Sequence, residues 1–218
     1  MKINEIFVAL SGESERSGLR TVFVRTYGCI APFCTYCDTR YAIEGNEFTE
    51  MSVYEIVAKV KEYDCPRVLI TGGEPLLQKE TFDLVIRFLE ENLDVEIETN
   101  GAIDIRPYIK DITDLNKNLL ITMDWKCPSS GMNHLMLKDN LNLLRCCDVI
   151  KFVVGSEEDL SEMIKISRLT TAQVYVSPVF GMIEPKVIAE YIRDNNLNDV
   201  KMQIQMHKVI YPADARGV

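Results

Sequence analysis

The chain has 218 residues, with 24 Lys and Arg against 33 Asp and Glu and a formal net charge of −9. Its length and its 47% hydrophobic content fit one globular domain, residues 1–218, large enough to bury a core. The acidic balance argues against bulk binding of nucleic acid or an anionic membrane, and no apolar run approaches the roughly 20 residues of a membrane helix.

In chain order, Met1–Leu10 carries Glu5 within an apolar stretch and lacks the shape of a signal peptide, so the chain reads as cytoplasmic. Val22–Tyr27 reads as a strand. Ser52 opens a helix, because Glu55 three residues later completes a capping box and Ile56, Val57 and Val60 recur on one face. Arg67–Thr71 is a short apolar strand, and Phe82, Val85, Ile86 and Leu89 then form a helical stripe. Val95–Thr99 and Leu119–Asp124 are strands, and Leu135–Leu144 reads as helical. Val149–Val154 is a strand and Glu157–Arg168 a helix with Leu160, Met163 and Ile164 inward. Val174–Ser177 is a strand, Pro185–Asn195 a helix with Pro near its start, and Met202–Gln205 a last strand.

Strands alternating with helices predict right-handed βαβ units and a parallel sheet. The length is too short for a full eightfold barrel, so the fold class is α/β with an incomplete barrel or an open doubly wound sheet. Ligands of such folds sit at the C-terminal ends of the strands. The residues there are Gly28-Cys29, Gly72-Gly73-Glu74-Pro75, Asn100-Gly101, Trp125-Lys126, Gly155-Ser156, Pro178 and His207.

Seven cysteines without a secretion signal favour metal or redox chemistry over disulfides. Cys29, Cys34 and Cys37 fall within nine residues, just after a strand. Three thiolates this close can wrap one soft metal centre. Zinc would need a fourth ligand, for which Cys127, His134 and His207 are candidates. A 4Fe–4S cluster on three cysteines would keep one iron open, the mark of a catalytic centre. Cys65, Cys146 and Cys147 read as small hydrophobes of strands or helices. In Gly72-Gly73-Glu74-Pro75, two glycines allow close backbone approach to a ligand, and Glu74 could accept from an ammonium group.

The cysteine loop, with Tyr36 before its last cysteine, and the Gly-Gly-Glu-Pro turn one βα unit later together resemble the radical S-adenosylmethionine (SAM) superfamily. The superfamily has three residues between its first two cysteines; this chain has four, Ile30 to Phe33. The resemblance implies an incomplete (β/α) barrel of the radical SAM type, with parallel strands. A closer resemblance, spanning nearly the whole chain, is to the 7-carboxy-7-deazaguanine synthase family. It is carried by Ser11–Ser14, Phe23-Val24-Arg25, Cys37-Asp38-Thr39, Gly72–Pro75, Glu98–Gly101, Lys126 with Pro128-Ser129-Ser130, His207-Lys208 and Arg216-Gly217-Val218. The family has Gln-Gly-Glu-Gly at Ser11–Ser14 and Ser-Pro-Lys at Asp124–Lys126, so Ser11, Ser14, Asp124 and Trp125 depart from it.

This resemblance implies a carbon–nitrogen lyase that contracts the ring of 6-carboxy-5,6,7,8-tetrahydropterin and releases ammonia. It implies a 4Fe–4S cluster on Cys29, Cys34 and Cys37, with SAM near Tyr36, Cys37, Asp38, Gly72, Gly73, Glu74, Gly101, Asp124, Trp125, Lys126, Ser177, Pro178, Val179 and Phe180. Substrate contacts carried over are Leu10, Ser11, Gly12, Glu13, Arg25, Thr99, His207 and Val218. Mg²⁺ is implied at Thr39. The chemistry of the pterin suits two of these residues: its guanidine-like edge suits Glu13 and its carboxylate suits Arg25. The family also implies a homodimer and an external one-electron donor such as a flavodoxin or ferredoxin. Two other readings stay open: a radical SAM activase acting on a partner protein, which needs no Glu13, Thr99 or His207, and a zinc-binding α/β module.

Overall fold

The computed structural model describes residues 1–112, 118–212 and 215–218. Among the described residues nine strands form one sheet in the order β3-β1-β2-β4-β5-β6-β7-β8-β9. They are β1 (Lys2–Leu10), β2 (Arg20–Thr26), β3 (Thr49–Glu50), β4 (Arg67–Gly72), β5 (Asp94–Thr99), β6 (Leu119–Asp124), β7 (Val149–Val154), β8 (Gln173–Pro178) and β9 (Val200–Met202). From β2 through β4 to β9 every neighbouring pair is parallel. The helices are α1 (Val53–Lys61), α2 (Thr81–Glu90), α3 (Glu157–Ser167), α4 (Pro185–Asp194) and α5 (Met206–Ile210).

The apolar runs become the central strands because both of their faces are covered. Val68, Ile70, Val95, Ile97, Ile121, Ile150, Phe152 and Val176 share one core with Ile56, Val60, Leu84, Phe88, Leu160 and Met163 of the helices. The capping box at α1 forms: Glu55 N donates to Ser52 Oγ at 3.3 Å and Ser52 N to Glu55 Oε2 at 2.7 Å. Pro185 occupies the first turn of α4.

Four expectations are corrected, and one strand lies where the residue pattern assigned no element. Lys2–Leu10 is a strand, antiparallel to β2 from Ile3 opposite Thr26 to Leu10 opposite Arg20, with a bulge between Ile3 and Glu5. Most of its residues are only half-buried, so no clean alternation marks it. The buried face of α2 is Leu84, Val85, Phe88 and Leu89, while Phe82 and Ile86 lie at its margin. Leu135–Leu144 is not an α-helix but two 3-10 turns, Asn133–Leu135 and Lys138–Asn142. Tertiary bonds outcompete the helix there. Asn140 Nδ2 donates to Gly101 O and Ile103 O, and Leu137 N donates to Gly101 O. The last strand ends at Met202, and Gln203 instead accepts from Ser14 N at 2.8 Å. Cys146 and Cys147 are exposed on a turn before β7, whereas Cys65 is buried.

Candidate active site

A cavity of about 930 Å³ opens at the C-terminal ends of the parallel strands. Cys29, Cys34 and Cys37 line it together, all half-buried. Their loop is pinned from several sides. Gly28 N donates to Ala42 O and Glu74 N to Gly28 O, both at 2.8 Å. Thr35 reaches Ser129 O through its hydroxyl and Ser130 O through its N–H. Tyr36 OH donates to Val153 O at 3.1 Å, and Arg40 donates to Cys34 O at 2.9 Å. The Ala31–Pro32 bond within the loop is cis. Burial pushes the Cys29 thiol up to about 11 and raises Cys34 as well, with the Lys126 ammonium pulling the latter back. Cation binding must therefore displace protons.

The Gly-Gly-Glu-Pro turn abuts this loop. Gly72 has φ +142°, and a Cβ on Gly73 would stand 2.0 Å from Gly28 O. Only glycine allows that approach. Gly72 and Gly73 line the cavity; Glu74 does not. Its fully buried carboxylate accepts from Leu76 N, Thr99 Oγ1 and Asn100 N at 3.0, 2.8 and 2.6 Å. Burial dominates over these donors and pushes Glu74 up to about 7. Lys126 lines the cavity and pairs with Asp124 Oδ2 at 2.8 Å. Burial opposes its charge, yet Asp124 and Cys34 hold its pKa well above the usual range.

Inside the sheet the cavity turns polar. Glu13, Arg25, Thr71, Glu96, Glu98, Thr99, Asp124 and Lys151 line it. Glu13 Oε2 accepts from Lys151 at 2.8 Å, and its Oε1 is buried with no hydrogen-bond partner among the described residues. Arg25 Nε donates to Glu5 Oε1 at 2.7 Å, and Tyr41 OH donates to the same oxygen at 3.0 Å. Thr122 links Glu96 at 2.6 Å with Ser14 at 2.9 Å. His207 of α5 lies over Gly12, where a Cβ would stand 2.4 Å from Nδ1. Lys208 pairs with Asp38 at 2.6 Å; burial works against the Asp38 carboxylate, but Lys208 holds it low. Thr39 makes no capping bond and stands 3.6 Å from Cys37 Sγ.

Of the residues singled out from the sequence, Leu10, Ser11, Gly12, Glu13, Arg25, Tyr36, Asp38, Thr39, Thr99, Asp124, Lys126, Val179, Phe180, His207 and Val218 join the three cysteines and two glycines around this cavity. Glu74, Gly101, Trp125, Ser177 and Pro178 are buried behind it. Trp125 Nε1 and Ser177 Oγ are buried without hydrogen-bond partners among the described residues. Cys127, the candidate fourth zinc ligand, is fully buried, with its Sγ 3.8 Å from Trp125 O and 3.9 Å from Asp159 O. His134 is exposed. Among the described residues no three His, Cys, Asp or Glu side chains stand close enough to share one ion.

The radical SAM superfamily profile matches residues 23–127. The chain is 40% identical to a 7-carboxy-7-deazaguanine synthase of Clostridium acetobutylicum, over all of this chain and 99% of that one. It is 41% identical to the synthase of Methanospirillum hungatei, over 96% of this chain and 85% of that one. The chain belongs to the 7-carboxy-7-deazaguanine synthase family. The crystal structure of QueE from Escherichia coli has the same fold, with a TM-score of 0.75 at 20% identity over 94% of each chain.

As a radical SAM enzyme, a member of the 7-carboxy-7-deazaguanine synthase family uses a 4Fe–4S cluster and SAM. The donor set fits them: three half-buried thiols on one wall, a glycine turn without side chains beside them, and one ammonium within electrostatic reach of Cys34. The residue pattern singles out neither Lys151 nor Glu96, and it gives Glu98 and Asn100 only as part of a motif, with no role at the site. The available signal was a charged residue inside an apolar strand, as Lys151 is in Val149–Val154. Asn100 was placed at a strand end, but its Nδ2, 3.8 Å from Cys29 Sγ, is visible only in three dimensions.

Proposed function

We propose that this chain converts 6-carboxy-5,6,7,8-tetrahydropterin to 7-carboxy-7-deazaguanine by ring contraction with loss of ammonia. One observation carries the reading: a single cavity is lined by three thiols and also by Glu13, Arg25 and His207. Cys29, Cys34 and Cys37 would hold the cluster and leave one iron for SAM. Bound there, the pair would supply the radical chemistry for hydrogen abstraction from the substrate.

The rest is done by the chain's own residues. Tyr36, Asp38, Gly72, Gly73, Asp124, Lys126, Val179 and Phe180 surround SAM, and Glu74, Gly101, Trp125, Ser177 and Pro178 shape that wall from behind. Glu13 offers Oε1 to the N–H edge of the pterin, a charge-assisted bond. Arg25 binds the substrate carboxylate, with Glu5 fixing its guanidinium. Leu10, Ser11, Gly12, Thr99, His207 and Val218 complete the enclosure, which excludes water and holds both ligands in attack geometry. Thr39 would offer its hydroxyl to Mg²⁺, a cation that prefers oxygen ligands. Among the described residues no helix is long and apolar enough to cross a membrane. The enzyme is read as one radical SAM domain, a cytoplasmic homodimer reduced by a flavodoxin or ferredoxin.

The test is label transfer. Deuterium at C6 of the pterin is expected in SAM recovered after turnover, with little free 5′-deoxyadenosine per product. Unlabelled SAM together with one deoxyadenosine released per product would overturn the reading.

A further inference from the structure

Three carboxylates of the cavity converge on one buried ammonium. Lys151 sits in the middle of β7 and is 2% exposed. Its Nζ donates to Glu13 Oε2 at 2.8 Å and to Glu98 Oε1, and it stands 3.4 Å from Asp124 Oδ1. These partners come from three separate places: the loop after β1, β5 and β6. Asp124 gives its other oxygen to Lys126 at 2.8 Å. Three negative and two positive charges thus form one chain that ends near Cys34.

A buried ion network is a poor source of stability, because desolvation offsets much of its attraction and apolar residues do as well. Its four central members all line the cavity. The arrangement also leaves a directed surplus. Lys151 takes one oxygen of Glu13, and the other is left buried and unpartnered among the described residues. A carboxylate clamped at one oxygen has its second oxygen aimed.

We propose that Lys151 is a positioning residue: it aims Glu13 at the pterin and ties that carboxylate to Asp124 on the SAM side, so that the two ligands are held in one relative geometry. The inference rests on the synthase reading of the cavity. Burial disfavours the Lys151 charge, but Asp124, Glu13 and Glu98 hold the group protonated. Without it, three carboxylates would face one another with Lys126 alone in compensation.

The test is anaerobic calorimetry on the SAM-free holoenzyme, with 6-carboxy-5,6,7,8-tetrahydropterin and SAM titrated separately. It compares wild type, Lys151→Met, Lys151→Arg, Glu13→Gln and the double variant Lys151→Met/Glu13→Gln. Lys151→Met is expected to weaken pterin binding by more than about tenfold, the usual scale for breaking a buried charge pair. SAM affinity should fall by less than about threefold, since Asp124 on the SAM side keeps its pair with Lys126. In the double variant Lys151→Met should add less than about threefold to the loss from Glu13→Gln, because coupled residues are non-additive. Lys151→Arg, which keeps the charge, should recover part of the affinity. In turnover, KM should rise more than kcat falls. Unchanged pterin affinity in Lys151→Met, or losses that multiply in the double variant, overturns the proposal. If thermal melting shows that Lys151→Met does not fold, the cycle is run with Lys151→Gln under the same criteria. Wild type that fails to bind the pterin overturns the functional reading, and the proposal with it. Wild type that binds while the losses multiply overturns the role of Lys151 alone.

Discussion

The cysteine loop, residues 28–43, and the polar interior of β5 to β7 meet in one cavity and are held by opposite means. The loop is tied down largely through backbone groups: Gly28, Thr35, Cys37 and Ala42 all use their main chain. Its thiols are half-buried and burial keeps Cys29 and Cys34 protonated, so on the proposed reading this wall would gain its charge only with the metal. The interior is charged from the start. Burial opposes ionisation of Glu98, but Lys151 and Thr71 outweigh it and hold the group down at about 2. A wall that receives a cluster can be left uncharged and open. A wall that reads a polar substrate must have its dipoles aimed beforehand, because reorganising them during reaction is costly.

The largest expected effect separates cysteines by place rather than by kind. Cys34→Ala should lose the 4Fe–4S cluster and all turnover. Cys127→Ala, buried against Asp159 O, should keep both, as should Cys146→Ala on its exposed turn. Iron content and the EPR signal of the reduced cluster decide it; retention in Cys34→Ala with loss in Cys127→Ala would reverse the assignment. A smaller effect tests the seam between the loop and the sheet. In Gly73→Ala the new Cβ meets Gly28 O at 2.0 Å, a backbone atom that must shift. Overpacking of this sort costs roughly 1–3 kcal/mol, read as a fall in the urea midpoint of the cluster-free protein. An unchanged midpoint would mean that the two turns are not rigidly joined. The smallest effect is at the loop's end. Thr39→Ala should weaken the Mg²⁺ activation of turnover by a few-fold, about the worth of one replaceable oxygen ligand, with SAM affinity kept. Identical Mg²⁺ activation curves would remove Thr39 from the metal site.

Much of the loop could be read from the residues alone, because its three thiols are neighbours in the chain. Cys29, Cys34, Cys37, Gly72 and Gly73 all reach the cavity by following a strand end. Glu74 shows the limit of that rule. The strand-end rule points it at a ligand's ammonium, yet it lies outside the cavity lining, and Leu76, Thr99 and Asn100 already occupy three of its acceptor sites. Arg25 reaches the cavity already paired with Glu5, a partner 20 residues away. The helix expected at Leu135–Leu144 fails for a related reason: the Leu137 N–H and the Asn140 side chain bond to the loop after β5, and the segment closes only as 3-10 turns.

Residue pattern by itself determined the βαβ alternation, the strand-end location of the site and the three-cysteine loop, since these depend on local periodicity and short spacing. Only the tertiary structure decided which charges meet. Glu13 and Lys151 lie 138 residues apart, and Glu98 and Lys151 lie 53 apart. In the chain Lys151 is a lone charge in an apolar strand, Glu98 is one of two glutamates in an alternating strand, and Glu13 is a loop residue. The parallel register brings β5, β6 and β7 side by side with these positions on one face, and burial then forces their charges to pair because water is no longer there to solvate them.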